Sequence, residues 1–271
     1  MRKWTEVGDR VFVRRYEFFD QNIGVILGED AAMLIDTRST HAQAREIHDD
    51  LRELTRDPVT VVVDTHGHFD HAFGNHVFRP AAIWGHTRCV TFLLRTGEER
   101  RARIAKEEPE LAADLDEVVI DPPDRTFDET GNPEVGGRRV ELHFLGRGHT
   151  DHDIVIRVPD ANVLFAGDLL ENGAVPFFGD GYPLDWPETA ARVAEMSTGV
   201  VVPGHGDHAG AAFADDQAAA FLRLAELARR AHRGEMGLDE AVAATPFTGY
   251  PPEDIRRPLL RALEQLRGEL D

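Results

Sequence analysis

The chain predicts an α/β fold, and three observations carry that reading. Short apolar, β-branched runs recur, most plainly Val59-Thr60-Val61-Val62-Val63 and Val200-Val201-Val202, the pattern of buried strands. Helical spacing lies between such runs, with Ala44, Ile47, Leu51 and Leu54 on one face of residues 41–56. Metal- or proton-binding side chains stand at or just past the ends of the runs, where sites in α/β proteins gather.

Taken in order, residues 4–37 read as three strands: the alternating Arg10-Val11-Phe12-Val13, then Asn22-Ile23-Gly24-Val25-Ile26-Leu27, then Ala32-Met33-Leu34-Ile35-Asp36-Thr37. Thr40 or Ser39 caps the helix over 41–56. After the strand at 59–64 a short helix begins near Asp70, and a strand lies at Ala82-Ile83-Trp84. Residues 86–118 read as helical and acidic, interrupted at Pro109. Asp121-Pro122-Pro123-Asp124 breaks the chain, and 131–137 is a turn-rich loop. Strands follow near 138–145, 153–158 and 162–166. A helix over 187–196 leads into Val200-Val201-Val202. After Ala214 the pattern is helical to the end, with a break at 245–252. No solenoid-period repeat or low-complexity tract is present.

Composition narrows the function classes. A chain of 271 residues can bury a sizeable core. No apolar run approaches the ~20 residues of a spanning helix, and Met1-Arg2-Lys3-Trp4-Thr5-Glu6 lacks a secretory signal's apolar stretch. Cys89 is the one cysteine, so no internal disulfide forms, and a cytoplasmic location fits. A formal charge of −19 repels phosphate backbones, which disfavours a nucleic-acid partner. The basic run at 95–106 is balanced by Glu107, Glu108 and Glu110 and reads as a solvated helix face with ion pairs.

Residues 65–71 read T-H-G-H-F-D-H. Neutral imidazole and carboxylate are the ligands of Zn²⁺ and neighbouring transition metals. His66 and His68 are two apart, so in an extended segment they point the same way; Asp70 repeats the step and His71 is its neighbour. One short loop can thus supply two ligands to each of two metals. A metal needs more than two, and three further candidates follow apolar runs with glycine beside them: His149 in Gly148-His149-Thr150, Asp168 in Gly167-Asp168, and His205 in Gly204-His205.

This set of blocks, with the upstream runs ending at Asp36-Thr37, resembles the metallo-β-lactamase-fold hydrolase superfamily over roughly 22–208. The resemblance implies a four-layer αβ/βα sandwich with metals at one edge between two sheets. The whole of 1–271 is then expected as a single such domain, with 1–214 the sandwich and 215–271 helical additions. It implies that His66, His68 and His149 hold a first metal, that Asp70, His71 and His205 hold a second, and that Asp168 bridges them. The implied cofactor is two Zn²⁺, with iron or manganese as alternatives. Two zinc ions ~3.5–4 Å apart can share a water and lower its pKa from ~16 towards ~7, which supplies hydroxide without a Ser or Cys nucleophile. Asp70 is expected to be both ligand and catalytic group, orienting the hydroxide and passing its proton on. Asp36, Asp64 and Asp153 are candidates to steady the ligand imidazoles, against the plainer reading of strand-end or turn aspartates.

The β-lactamases of the superfamily generally have Cys or Ser near the bridging position. Asp168 instead resembles the glyoxalase II, lactonase and phosphodiesterase branches, so a small-molecule ester, thioester or lactone is the expected substrate. A mononuclear iron oxidoreductase resembling the persulfide dioxygenases is the alternative, with His71 and His205 arguing for two metals. A diiron flavoprotein reductase fits poorly, because His68 stands where that branch has H-x-E and no flavodoxin-like domain follows. Substrate choice should rest with the aromatic loop that follows Asp168, whose Phe177, Phe178, Tyr182 and Trp186 either wall a pocket or anchor the loop. It should rest also with the helical tail, where Arg223, Arg229, Arg230 and Arg233 could meet an acidic substrate. The apolar spacing of Phe221, Leu222, Leu224, Leu227 and Ala231 says packing, on the sandwich or on a second subunit of a homo-oligomer.

Overall fold

A computed structural model describes residues 4–270; Met1 to Lys3, part of the stretch read for a secretory signal, and Asp271 lie outside the described residues. The first half lays down β1 (Thr5–Gly8), β2 (Val11–Tyr16), β3 (Gln21–Leu27) and β4 (Ala32–Ile35) antiparallel to one another. Helix α1 (His41–Leu51) then crosses to β5 (Val59–Val63), and α2 (Phe69–Ala72) precedes β6 (Ala82–His86), both strands parallel to their inner neighbours. Helices α3 (Thr87–Glu107) and α4 (Ala112–Asp116) lead to the edge strand β7 (Arg125–Phe127).

The second half begins with β8 (Thr130–Gly131) and the small ribbon β9 (Glu134–Val135) and β10 (Arg138–Arg139). Then β11 (Glu141–Phe144), β12 (Ile154–Val158) and β13 (Val163–Glu171) pair antiparallel. Helix α5 (Trp186–Met196) crosses to β14 (Val200–His205), parallel to β13, and β15 (Ala209–Gly210) folds back on it. Helices α6 (Ala211–His232), α7 (Leu238–Ala243) and α8 (Pro252–Leu266) finish the described chain. The hydrogen-bonded path runs β7-β6-β5-β4-β3-β14-β13-β12-β11-β8, and at its middle one residue pair, Gln21 with His205, joins the halves.

Strand side chains alternate between faces, and here each face has its own partner. Met33, Ile35, Val61 and Val63 meet Leu142, Ile154, Ile156, Phe165 and Val202 between the two sheets. Their neighbours Leu34 and Val62 pack outward with Ala44 and Ile47 of α1. Val155, Leu164 and Val201 pack outward on the other side against α5, α6 and α8, through Trp186, Phe221 and Leu259. The result is helix, sheet, sheet, helix: the four-layer sandwich, with the C-terminal helices built into one outer layer. Among the described residues no helix is long and apolar enough to cross a membrane.

Several elements differ from the sequence reading: residues 4–37 hold four strands rather than three, and the short strands β7, β8 and β9 stand in or beside the expected break and turn-rich loop. Helix α1 stops at Leu51, and residues 52–54 close it with turn hydrogen bonds to residues 49–51. The helical tail breaks after α6, where Gly234 takes φ +72, the left-handed conformation that ends helices. Strand β13 does not end at 166 but runs to Glu171, held extended by its pairing with β14.

Trp186 is fully buried, with ring centroids 4.6 Å from both Phe178 and Phe221, and its Nε1 donates to the Leu169 carbonyl at 3.1 Å. Trp186→Ala is therefore expected to cost about 3–5 kcal/mol, read as a lowered midpoint in denaturant unfolding. A loss below about 1 kcal/mol would mean that the α5–α6 layer is not packed through this ring.

Candidate metal centre

All seven metal-capable residues named from the sequence come together at the edge where the two sheets meet. His66 and His68 lie in the loop after β5, and Asp70 and His71 in α2, whose first turn follows His68. His149 precedes β12, Asp168 lies within β13, and His205 is the last residue of β14. Asp168 stands at an irregularity: the β13–β14 register shifts on either side of Gly167, which takes φ +52. A Cβ there would lie 2.8 Å from the Cβ of Thr65, so glycine serves both the bend and the close approach. Gly204 is constrained more tightly, since a Cβ would fall 1.8 Å from Asp168 Oδ1.

The side chains form two sets. His66 Nε2 and His149 Nε2 lie 3.0 and 2.8 Å from His68 Nδ1. His71 Nε2 lies 3.3 Å from His205 Nε2, and Asp70 Oδ2 is 3.5 Å from each. Asp168 stands between them: Oδ1 is 3.3 Å from His71 Nε2, and Oδ2 is 3.3 Å from His205 Nε2 and 3.4 Å from His149 Nε2. Within this centre the ligand-capable atoms of His66, His68 and His149, of His66, His71 and Asp168, and of Asp70, His71 and His205 each lie within 4.8 Å of one another.

Whether these residues fit a cation follows from what their far nitrogens do. A carbonyl oxygen only accepts. His149 Nδ1 donates to the Phe177 carbonyl at 2.9 Å, and His205 Nδ1 to the Phe19 carbonyl at 2.6 Å. His68 Nε2 donates to Asp180 Oδ2 and His71 Nδ1 to Asp36 Oδ2, both at 2.8 Å. Thr65 Oγ1 gives its hydrogen to Asp36 Oδ2 at 2.9 Å and so accepts from His66 Nδ1 at 3.1 Å. When neutral, all five imidazoles therefore turn a bare nitrogen inward. In the first set, three lone pairs meet about one nitrogen contact apart and repel unless a cation lies among them. Asp168 Oδ1 is buried without a hydrogen-bond partner, as a carboxylate oxygen awaiting a cation would be. The residues fit a metal.

Charge separates the two sets. Burial, helped by neighbouring His71, holds His66 well below the ordinary histidine range, and burial brings His68 to about 4 against the pull of Asp180. Burial also opposes charging His71 and His205, but there Asp168 and Asp70 outweigh it, raising His71 well above its usual value and His205 to about 10. Asp168 in turn is held well below the carboxylate range, burial being overcome by His71 and His205. In the metal-free protein burial thus favours uncharged His66 and His68, while Asp168 and Asp70 draw protons onto His71 and His205.

A cavity of about 390 Å³ opens onto both sets, lined among others by Phe19, Phe69, Asp70, Arg100, Ile104, Glu171 and Phe177. Of the four loop aromatics, Phe177 lines it. Phe178 and Trp186 are core residues instead, because they pack with Phe221 beneath the loop. Tyr182 lies under the Arg147 guanidinium, 4.3 Å from its ring centre, at the start of α5. Arg223, Arg229, Arg230 and Arg233 do not line the cavity; Arg223 pairs with Glu226, and Arg230 and Arg233 with Glu235. Asp36 steadies a ligand imidazole, but Asp64 and Asp153 do not touch one. Asp64 accepts from Asn75 Nδ2 at 2.7 Å, with burial raising it well above the carboxylate range. Asp153 accepts from the Thr150 amide and hydroxyl at 2.6 and 2.8 Å, shaping the turn after His149.

Sequence reasoning missed Asp180, Arg100 and Glu171. Asp180 had a signal in the run Gly179-Asp180-Gly181, the same glycine-flanked pattern as Asp168. Arg100 belongs to the basic run of α3. Its neighbours do form surface ion pairs, Arg101 with Glu98 and Arg103 with Glu107, but Arg100 turns to the site and meets Asp180 at 2.8 Å. Glu171 accepts from the Phe177 amide at 3.1 Å, and burial beside Asp168 lifts it to about 7.

The metallo-beta-lactamase superfamily model matches residues 16–205. Curated relatives include the metallo-beta-lactamase type 2 of Bacteroides fragilis, 24% identical over 219 residues that make up 76% of this chain and 80% of that one. The corresponding protein of Bacillus cereus is 25% identical over 190 residues, 68% of this chain and 66% of that one. Among solved structures, a metallo-beta-lactamase from Pontibacter korlensis superposes with a TM-score of 0.63 at 21% identity, over 81% of this chain and 98% of that one. A sec-alkyl sulfatase superposes with a TM-score of 0.76 at 17% identity, over 98% of this chain but 50% of its own. That second likeness is one of fold, and it takes in the C-terminal helices.

Because acid groups hold protons on His71 and His205, a cation entering the second set must displace them. Metal uptake at pH 7 is expected to release at least one proton, with apparent affinity falling as pH drops below about 10. Calorimetric titration in two buffers of different ionisation enthalpy measures the release; identical heats in both would contradict it.

Proposed function

The chain belongs to the metallo-β-lactamase superfamily, its own His and Asp clusters go with a metal-dependent hydrolase, and we propose that it is a dinuclear-metal hydrolase of an ester, thioester, lactone or related small molecule. One observation carries the reading: the Asp168 carboxylate lies between two sets of imidazoles, 3.3–3.4 Å from ligand-capable nitrogens of both. A carboxylate so placed serves a pair of cations, and the second set keeps its own Asp70, which a single-metal oxidoreductase has less need of.

When bound, two divalent cations would polarise the scissile carbonyl and bring the pKa of water from ~16 towards ~7. The remaining work falls to side chains. Asp70, buried yet facing the cavity, is placed to orient the attacking water and carry its proton to the leaving group. Its backbone is fixed from below, where Gln21 Nε2 donates to the Asp70 carbonyl, so the carboxylate is held by the sheet rather than by a mobile loop. Phe19, Phe69, Ile104 and Phe177 give the cavity an apolar wall, which suits an acyl or ring-closed substrate with a hydrocarbon part. Zinc is the proposed metal, since histidine and carboxylate with open positions suit it. The acidic composition goes with a small-molecule partner rather than nucleic acid, and the single cysteine with a cytoplasmic setting.

Four variants, one of them a control, and a substrate panel test this. His68→Ala and Asp168→Ala are expected to lower metal content and turnover together. Asp70→Asn is expected to lower kcat by about 10²-fold or more. His48→Ala, half-exposed on α1, should change neither. Metal-quantified protein offered thioesters, lactones, β-lactams and phosphodiesters should favour the first two. Full activity after metal stripping, or one redox-active iron per chain, would sink the hydrolytic scheme.

A further inference from the structure

The aromatic loop, residues 172–185, is more than a wall of the cavity. It contains no strand or helix among its described residues, yet it supplies the outer partner of two of the three imidazoles in the first set. The Phe177 carbonyl accepts from His149 at 2.9 Å, and Asp180 accepts from His68 at 2.8 Å. Asp180 is itself held by Arg100 of α3 at 2.8 Å, and the Arg100 guanidinium lies 4.4 Å over the Phe92 ring, which fixes it in place. The second set has no such dependence: His71 leans on Asp36, just past β4, and His205 on the Phe19 carbonyl, just before β3. Two of the three imidazoles in the first set are therefore oriented by this loop, the third, His66, by Thr65 beside Asp36, and neither imidazole of the second set by it.

The same loop faces the substrate. The Phe177 ring is 52% exposed, with its centre 6.0 and 6.3 Å from the rings of His149 and His68. A ligand pressing on that ring acts on the residue whose carbonyl orients His149. A ligand that shifts the loop must change metal affinity at the first set by the same factor that metal changes ligand affinity.

Building on the two-metal reading above, we propose that Asp180 and Arg100 are positioning residues through which loop 172–185 sets the affinity of the His66–His68–His149 set, and of that set alone. The outer partner of a ligating histidine typically governs metal affinity by ~10–100-fold. Asp180 also fixes which His68 nitrogen is bare, so its loss acts on orientation and tautomer together.

The test uses zinc and a chromophoric chelator, with the full chain. Wild type is expected to yield two equivalents. Asp180→Ala should weaken one by ~10–100-fold and leave the other within about twofold; Arg100→Met should weaken the same equivalent by less. Asp180→Asn, which keeps an acceptor for His68, should recover part of the loss. In a His205→Ala background, which retains the first set, the Asp180→Ala effect should persist; in a His149→Ala background it should vanish. Proteolysis within 172–185 should be faster in metal-stripped protein and slow when zinc returns. A wild type that takes up a single equivalent overturns the two-metal reading and this inference with it. A wild type with two, and variants whose equivalents weaken together or not at all, overturns the coupling alone.

Discussion

Burying five imidazoles whose outer nitrogens are all tied to acceptors, so that the inner nitrogens face one another, is the constraint on which the rest of this molecule depends. Facing inner nitrogens call for a metal ion or a proton among them, and the arrangement is set because every outward nitrogen is tied to an acceptor. The ties are strong where they are charged, as from His71 to Asp36 and His68 to Asp180, and geometrically strict where they end on a carbonyl, as from His149 and His205. The tautomers follow from those partners, and with them the direction in which each ring offers its lone pair.

The sandwich exists in a form that delivers these rings to one place. Two sheets diverge from the single Gln21–His205 pair, and Asn22 locks the divergence by donating to the Pro203 and Gly206 carbonyls at 2.9 and 2.7 Å. Ligand-bearing segments from both sheets therefore emerge at the same edge. The irregularity at Gly167 then rotates Asp168 out of strict alternation, so that a strand whose preceding residues fill hydrophobic layers presents a carboxylate to the gap.

What the sequence made legible, and what it did not, has a physical reason in each case. The ligands of 66–71 were visible because they are packed into one short segment after a β-branched run. Asp168 and His205 were visible because glycine must stand beside a close approach, and Gly204 has no room for a side chain. Phe177 and Phe178 could not be told apart: in a loop without period, neighbouring rings go opposite ways, one to solvent and one into the core. Arg100 was hidden by its own helix, whose neighbouring Arg101 and Arg103 pair with Glu98 and Glu107 at the surface, and nothing local marks the residue that turns inward. The carbonyls of Phe19 and Phe177 carry no side-chain signature at all, and only the folded path of the chain puts them against a histidine.

The two sets also differ in how they tolerate loss of a cation. Around His71 and His205, Asp70 and Asp168 supply negative charge, so protons can replace metal and the cluster stays electrostatically satisfied. Around His66 and His68 burial dominates and keeps the rings uncharged, so no proton fills the gap when metal leaves. What holds those two rings then matters more. Two of the first set's three outer partners, the Phe177 carbonyl and Asp180, belong to a segment without strand or helix, and the third is Thr65 beside Asp36. Behind the set that protons can hold stand Asp36, just past β4, and the Phe19 carbonyl in the turn before β3, so the set that burial keeps uncharged is the one whose geometry rests more on the loop that faces the cavity.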